Sequence, residues 1–193
     1  MVRPREFNEE QALHAAMELF WEKGYEATSL SDLTAKMGIQ RPSLYAAFGD
    51  KKELFEATLR KYNQSHASYV RARLQSVPSV KEAFRAFFAG IVAEGYEEGP
   101  SRGCFCLNVM VELAPHDAKF EELTREHQMY LAAIFQEIIE QGVRSGELGN
   151  HVRAKALAQT LVVSMIGLTT LMKSRPDRTF ADNAVATIIA FLE

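Results

Sequence analysis

The segment SLSDLTAKMGIQRPSLYAAFGDKKELF, residues 29–55, is the most informative part of the chain. Ser29 and Asp32 stand three residues apart just ahead of Leu30, Leu33 and Met37. At that spacing an N-cap side chain and the third helical residue satisfy each other's backbone N–H groups. Gly38 then stops this short helix. Asp50 and Glu53 repeat the capping pattern at the head of a much longer helix, KKELFEATLRKYNQSHASYVRARL. Between the glycine and the second box lies IQRPSLYAAF, residues 39–48, a short helix carrying an arginine and a proline in its first turn. Upstream, Asn8 and Gln11 open another helix through Ala12, Leu13, Ala16, Met17, Leu19 and Phe20, which Gly24 ends. Three helices with a tight glycine turn between the second and third predict a helix-turn-helix unit.

The middle of that segment has a chemical asymmetry. At about 100° per residue with Leu44 facing inward, Ala47 and Phe48 fall beside it, while Pro42, Ser43, Tyr45 and Ala46 form the opposite arc with Arg41 at its edge. Pro42 is tolerated because a first-turn N–H has no helical acceptor to lose. A face this small lets a helix backbone approach base edges in a major groove. There Arg41 can pair with guanine, Ser43 can bond to base or phosphate, Pro42 or Ala46 can touch a thymine methyl, and Tyr45 can reach a phosphate. Lys51 and Ser29 sit at helix N-termini, where backbone N–H groups favour an anion. Lys36, Arg41, Lys51, Lys52, Arg60 and Lys61 outweigh Asp50, Glu53 and Glu56 in this stretch. In isolation the same string also reads as a core helix with a solvated face. The capping boxes, the glycine turn and the local charge favour DNA.

Composition sets the frame. The chain has 193 residues, 47% of them hydrophobic and 24% charged, enough for a sizeable core and too apolar for disorder. Its net charge of −3 does not by itself point to nucleic acid, so local patterning carries that inference. The N-terminus lacks the apolar region of a signal peptide. The apolar run at 157–172 reads as a buried or interface helix rather than a membrane span. Cytoplasmic location and no membrane partner are the expectations, with Cys104 and Cys106 as free thiols. The remainder patterns as further helices, so the expected fold is all-α with about nine helices. Residues 1–50 would form the helix-turn-helix DNA-binding domain, and residues 51–193 a helical effector-binding and dimerisation domain. A bundle enzyme of the carboxylate-bridged kind would need Glu-x-x-His pairs. No glutamate here is followed by histidine three residues on, so an enzyme is not expected. A scaffold that reuses the helix-turn-helix for protein contact is the other alternative.

The run ALHAAMELFWEKGYEATSLSDLTAKMGIQRPSLYAAFGDKKELF, residues 12–55, resembles the DNA-binding domain of TetR-family transcriptional regulators. The match includes Gly24–Tyr25, Thr28–Ser29, Gly38, Leu44–Tyr45, Phe48, Lys51 and Glu53–Phe55. The resemblance implies a homodimer on a roughly palindromic operator in double-stranded DNA, usually a repressor, released when a C-terminal domain binds an effector. It implies that Tyr45 and Lys51 bind phosphate, Ser29 anchors the second helix, and Arg41 and Ser43 lie at the bases. Gln40, Pro42 and Ala46–Ala47 depart from the commoner residues and leave the operator sequence open. Arg3 and Arg5 form either an arm over the DNA or a solvated tail. The family would place dimer contacts on the last two long helices, here bearing Leu161, Val162, Met165, Leu168 and Leu171, then Ile188, Ile189 and Leu192; these residues equally suit a core.

The segment SRGCFCLNVMVELAPHDAKF, residues 101–120, resembles a TetR subgroup that includes NemR-type electrophile sensors and ComR-type regulators. Cys104 lies at a loop-to-helix junction beside Arg102, a setting that favours thiolate. That subgroup implies Lys173 as its neighbour. The alternative is a buried thiol acting as a small hydrophobe. Cys104, Cys106, His116 and His127 supply ligand atoms, but helical residues two apart diverge by about 200°, so no metal or other cofactor is expected. A reversible effector would use a pocket lined by Phe84, Phe88, Phe105, Met110, Tyr130, Phe135 and Met165, unless those side chains are core.

Overall fold

The computed structural model describes residues 7–99 and 101–193; Arg3 and Arg5, the expected DNA arm, lie outside them. Among the described residues the chain is all-α, with nine helices. They are α1 (Glu9–Lys23), α2 (Leu30–Met37), α3 (Arg41–Phe48), α4 (Lys51–Leu74), α5 (Val80–Gly95), α6 (Phe105–Glu112), α7 (Ala118–Ser145), α8 (Ala154–Met172) and α9 (Arg178–Ala190).

Local signals account for most of the helix ends. The capping boxes Ser29–Asp32 and Asp50–Glu53 are both closed in both directions. The box expected at Asn8 is one-sided: Asn8 accepts from the Gln11 backbone N–H, and no reciprocal bond accompanies it. Gly38 ends α2 with φ 67° and ψ 29°, a left-handed conformation that favours glycine. α3 starts at Gln40 without a side-chain cap, and Pro42 occupies its first turn.

Two cores organise these helices. The first joins α1, α2 and α3 to the first half of α4 through Ala16, Phe20, Leu33, Leu44, Leu54 and Phe55. It also takes in Phe105, Cys106 and Val109 of α6, and Phe120 and Leu123 of α7. The second core packs the later half of α4 with α5, α7, α8 and α9, including Val70, Phe84, Phe88, Phe135, Leu161 and Ile189. Both α4 and α7 therefore run through both cores. By length and composition α8 is apolar enough to cross a membrane, contrary to the shorter apolar run seen in the sequence. Its Leu161, Met165 and Leu168 are instead buried in the second core.

Candidate nucleic-acid interface

α3 lies on the first core by Leu44, which is fully buried, so the face opposite is turned outward. Arg41, Pro42, Tyr45 and Ala46 are exposed and Ser43 is half-buried, the arrangement expected from helical spacing. Tyr45, at 49% exposure, carries a large ring that no core packing demands. Arg41 donates from Nη2 to the Ser31 hydroxyl at 2.8 Å, bracing the guanidinium between α3 and α2. Nothing in the sequence singles out Ser31, because a serine inside a short helix carries no signal of such a partner.

Charges around this face divide into committed and available. Lys52 pairs with Asp117 at 2.5 Å, Arg60 with Glu56 at 2.7 Å and Lys61 with Glu10 at 2.8 Å. Among the described residues, Lys36, Arg41 and Lys51 form no ion pair. The Lys51 ammonium instead sits 4.2 Å from the centroid of the Tyr25 ring at the head of α4. This cation–π contact holds it beside the free N–H groups of that helix end. Ser29 accepts from the Asp32 N–H at 3.0 Å while its own N–H is taken by Asp32, which leaves its exposed hydroxyl hydrogen to donate outward. The Asp32 carboxyl is held below the ordinary carboxylate range by those bonds to Ser29, with a smaller contribution from Lys23.

A second polar system ties this unit to the rest of the chain. Glu112, the last residue of α6, accepts the backbone N–H groups of Tyr25 at 3.0 Å and Glu26 at 3.2 Å, fastening the turn between α1 and α2. A side chain at Gly24 would crowd that carboxylate, with a Cβ only 3.1 Å from Glu112 Oε2, and Gly24 also has φ 83°.

The expected sensing residues do not gather in one pocket. Phe84, Phe88 and Phe135 are buried in the second core, and Phe105 in the first. Met110 is half-buried, and Tyr130 is exposed on α7. Of the seven, Met165 alone lines the main cavity, an open space of about 710 Å³ between the two cores. Aromatic residues at helical spacing reported burial, which is what that periodicity measures.

Cys104 does line the cavity and accepts a hydrogen bond from the Tyr62 hydroxyl at 3.2 Å. Burial pushes its thiol above the ordinary pKa, and its bonds with Tyr62 and nearby backbone N–H groups offset that only in part. Arg102 does not assist it as expected. Its guanidinium pairs with Glu18 at 2.5 Å and stacks 4.5 Å from the Trp21 ring. Lys173 packs its stem against Gly103, but its ammonium donates to Asn108 at 2.9 Å. Cys106 is fully buried in the first core. Among the described residues no three His, Cys, Asp or Glu side chains gather as a metal site would require.

The same cavity is lined by a histidine pair: His66 Nδ1 and His127 Nε2 lie 3.0 Å apart, so one imidazole donates to the other. Burial pushes His66 down to about 4; burial first, then the proximity of His66, push His127 down to about 3. Both rings are therefore neutral in the folded chain. In the unfolded chain they take up protons below the ordinary histidine value of 6.5. Stability should thus fall as pH drops from about 6.5 towards about 4, where the folded state begins to protonate and the loss levels off. Each tenfold drop in a ring's proton affinity on folding corresponds to about 1.4 kcal/mol, so the expected loss is on the order of a few kcal/mol. Urea denaturation between about pH 7 and 5 checks this. A midpoint independent of pH in wild type, or an unaltered pH slope in His127→Gln, would reject the assignment.

A helix-turn-helix unit with an open, cation-flanked third helix, set on a helical bundle that holds a cavity, defines a DNA-binding transcriptional regulator. Comparison with known proteins specifies the family. Residues 12–58 match the family described as bacterial regulatory proteins, tetR family, and residues 80–188 match the tetracyclin repressor-like C-terminal domain. The chain is 34% identical over 178 residues to the uncharacterized HTH-type transcriptional regulator YezE of Bacillus subtilis, covering 92% of each. It is 33% identical over 168 residues to the HTH-type transcriptional repressor ComR of Escherichia coli, covering 86% of this chain and 80% of ComR. A solved structure of the TetR family regulator CifR, a cysteine mutant complexed with 26-base-pair operator DNA, superposes with a TM-score of 0.80 at 31% identity. That match covers 98% of this chain and 97% of CifR. The chain belongs to the TetR family of transcriptional regulators.

Proposed function

We propose that the protein is a cytoplasmic repressor that binds a palindromic operator as a homodimer through α3, and that a small molecule entering the cavity, or modifying Cys104, releases it. The carrying observation is the exposed Arg41–Pro42–Tyr45–Ala46 face beside the unpaired Lys36 and Lys51. Ser29, Ser43, Arg41, Tyr45 and Lys51 are the proposed DNA contacts. The operator-bound CifR structure and the repressor ComR support this reading.

For the dimer, the exposed rows of α8 and α9 are better candidates than the buried leucines. Leu161, Val162, Met165, Leu168, Ile188, Ile189 and Leu192 are all committed to the chain's own core. Thr160, Val163, Gly167 and Thr170 of α8 and Phe191 after α9 remain exposed. Small residues at i, i+3 and i+4 spacing allow two helices to approach closely.

Two recognition helices of a dimer must sit about 34 Å, one DNA turn, apart or at a multiple of it. A molecule that binds better to a dimer of different spacing shifts the population from the DNA-competent form. Mapping the fragments that the purified protein retains from its own genome should recover a two-fold symmetric site whose affinity falls steeply with salt. Retention without a shared symmetric sequence would reject the reading. For the thiol route, hypochlorite or a quinone is expected to release DNA from wild type and not from Cys104→Ser. Equal release from both would remove Cys104 as the switch.

A further inference from the structure

The cavity between the two cores is polar at a few defined points and apolar elsewhere. Its apolar walls include Met17 of α1, Phe87 and Ile91 of α5, Leu131 of α7, and Met165 and Met172 of α8. Two of its lining residues, on different helices, each hold a buried polar atom that lacks any hydrogen-bond partner: the indole Nε1 of Trp21 on α1 and the amide Oε1 of Gln128 on α7. A buried donor or acceptor left unpaired costs about 1–3 kcal/mol, and native proteins rarely retain one without use for it.

The larger polar side chains around them are already engaged. Tyr62 spends its hydroxyl on Cys104, and His66 and His127 bond to each other. Tyr69 donates to Glu94 at 3.0 Å, and Glu18 is neutralised by Arg102. Glu94, Glu97 and Glu98 leave the lining richer in carboxylates than in cations. An anion entering past them would be repelled and would find no free cation among the lining residues. The two neutral imidazoles add no charge.

We infer that this cavity binds an uncharged, mostly apolar small molecule that offers a hydrogen-bond acceptor to the Trp21 indole and a donor to the Gln128 amide oxygen. Trp21 belongs to the same helix that packs under α2 and carries the Glu112-fastened turn at its end. Gln128 sits where α7 passes between the two cores. A molecule held by both atoms bridges the DNA-binding unit and the bundle directly, so its binding bears on the orientation of α3 without a relay through distant helices. This regulatory consequence rests on the release mechanism proposed above; the binding chemistry does not.

Trp21 is the chain's single tryptophan, so its emission reports this site alone. The probe is para-hydroxybenzylacetone, a neutral ring with a ketone acceptor and a phenol donor. It is compared with benzylacetone, which lacks the donor, and with para-hydroxyphenylpropionate, which is anionic. The full-length protein should show a saturable change in Trp21 emission with the first probe. Binding should be at least tenfold weaker for each of the others, as expected for one lost hydrogen bond or for an unpaired charge. Gln128→Leu should weaken para-hydroxybenzylacetone by about tenfold, about one hydrogen bond's worth, and leave benzylacetone unchanged, which a merely unfolded variant would not do. Trp21→Phe, followed by calorimetry, should weaken both neutral probes alike.

Failure of both neutral probes to saturate, equal binding of the anion, or a Gln128→Leu affinity equal to wild type would each overturn the inference. Operator binding is measured in parallel on the same samples. Intact DNA binding with no probe binding rejects the cavity assignment and leaves the DNA-binding reading standing. Probe binding without DNA binding does the reverse.

Discussion

Arg41→Ala should weaken operator binding severely while the protein still folds. A well-formed arginine–guanine pair contributes about 1–3 kcal/mol of discrimination. A symmetric dimer loses it twice, so at the low end of that range affinity falls roughly thirty-fold. The loss should be accompanied by relaxed preference at one position of each half-site. Tyr45→Phe should act differently. It removes a hydroxyl aimed at phosphate, so affinity should fall by a smaller factor and alike for all sequences. Neither change touches the core: Arg41 is exposed and bonds to the Ser31 hydroxyl, and the Tyr45 ring is half in solvent. Anisotropy titrations with the mapped operator, alongside thermal melts, separate the outcomes. Wild-type affinity in both variants would show that another surface meets the DNA.

Phe55→Ala should be the most damaging single truncation in the first core. Phe55 is fully buried, and its ring meets Phe20 of α1 at 4.7 Å, Tyr25 of the following turn at 4.9 Å, Phe120 of α7 at 5.3 Å and Phe105 of α6 at 5.5 Å, all edge-on. Removing a buried phenylalanine costs about 3–5 kcal/mol, a large part of the stability of a typical domain. These partners come from distant parts of the sequence, so the variant should lose the grip of α6 and α7 on the helix-turn-helix unit as well as its core. Denaturant unfolding is the direct measurement, and a loss below about 1 kcal/mol would contradict the hub role. Phe55→Leu, which keeps much of the volume but not the ring edges, should fall between the two.

The helix-turn-helix unit was legible because its signals are local. Ser29 with Asp32, Asp50 with Glu53, and Gly38 act within four residues of each other, and the structure closes each as its spacing implies. Leu44 inward with Arg41, Pro42, Tyr45 and Ala46 outward follows from helical geometry once one apolar anchor is chosen. The sensing half was read less well for the same reason. Phe84, Phe88 and Phe135 have the spacing of an apolar stripe, and spacing does not distinguish a side chain filling a core from one facing an empty space. Arg102 stood next to Cys104 in sequence, yet its charge went to Glu18 and Trp21 on α1.

The run of helices, their caps and the small outward face of α3 are written in the amino-acid order, since each depends on residues within a turn or two. Which distant groups meet is settled only when the helices pack. Glu112 fastens the turn after α1, Phe105 and Phe120 complete the first core, and His66 finds His127. Trp21 and Gln128 are left facing a shared cavity. Such pairings follow from how α6 and α7 lie against α1 and α4, and burial selects those partners by shape and desolvation, for which no local pattern in the chain is a sign.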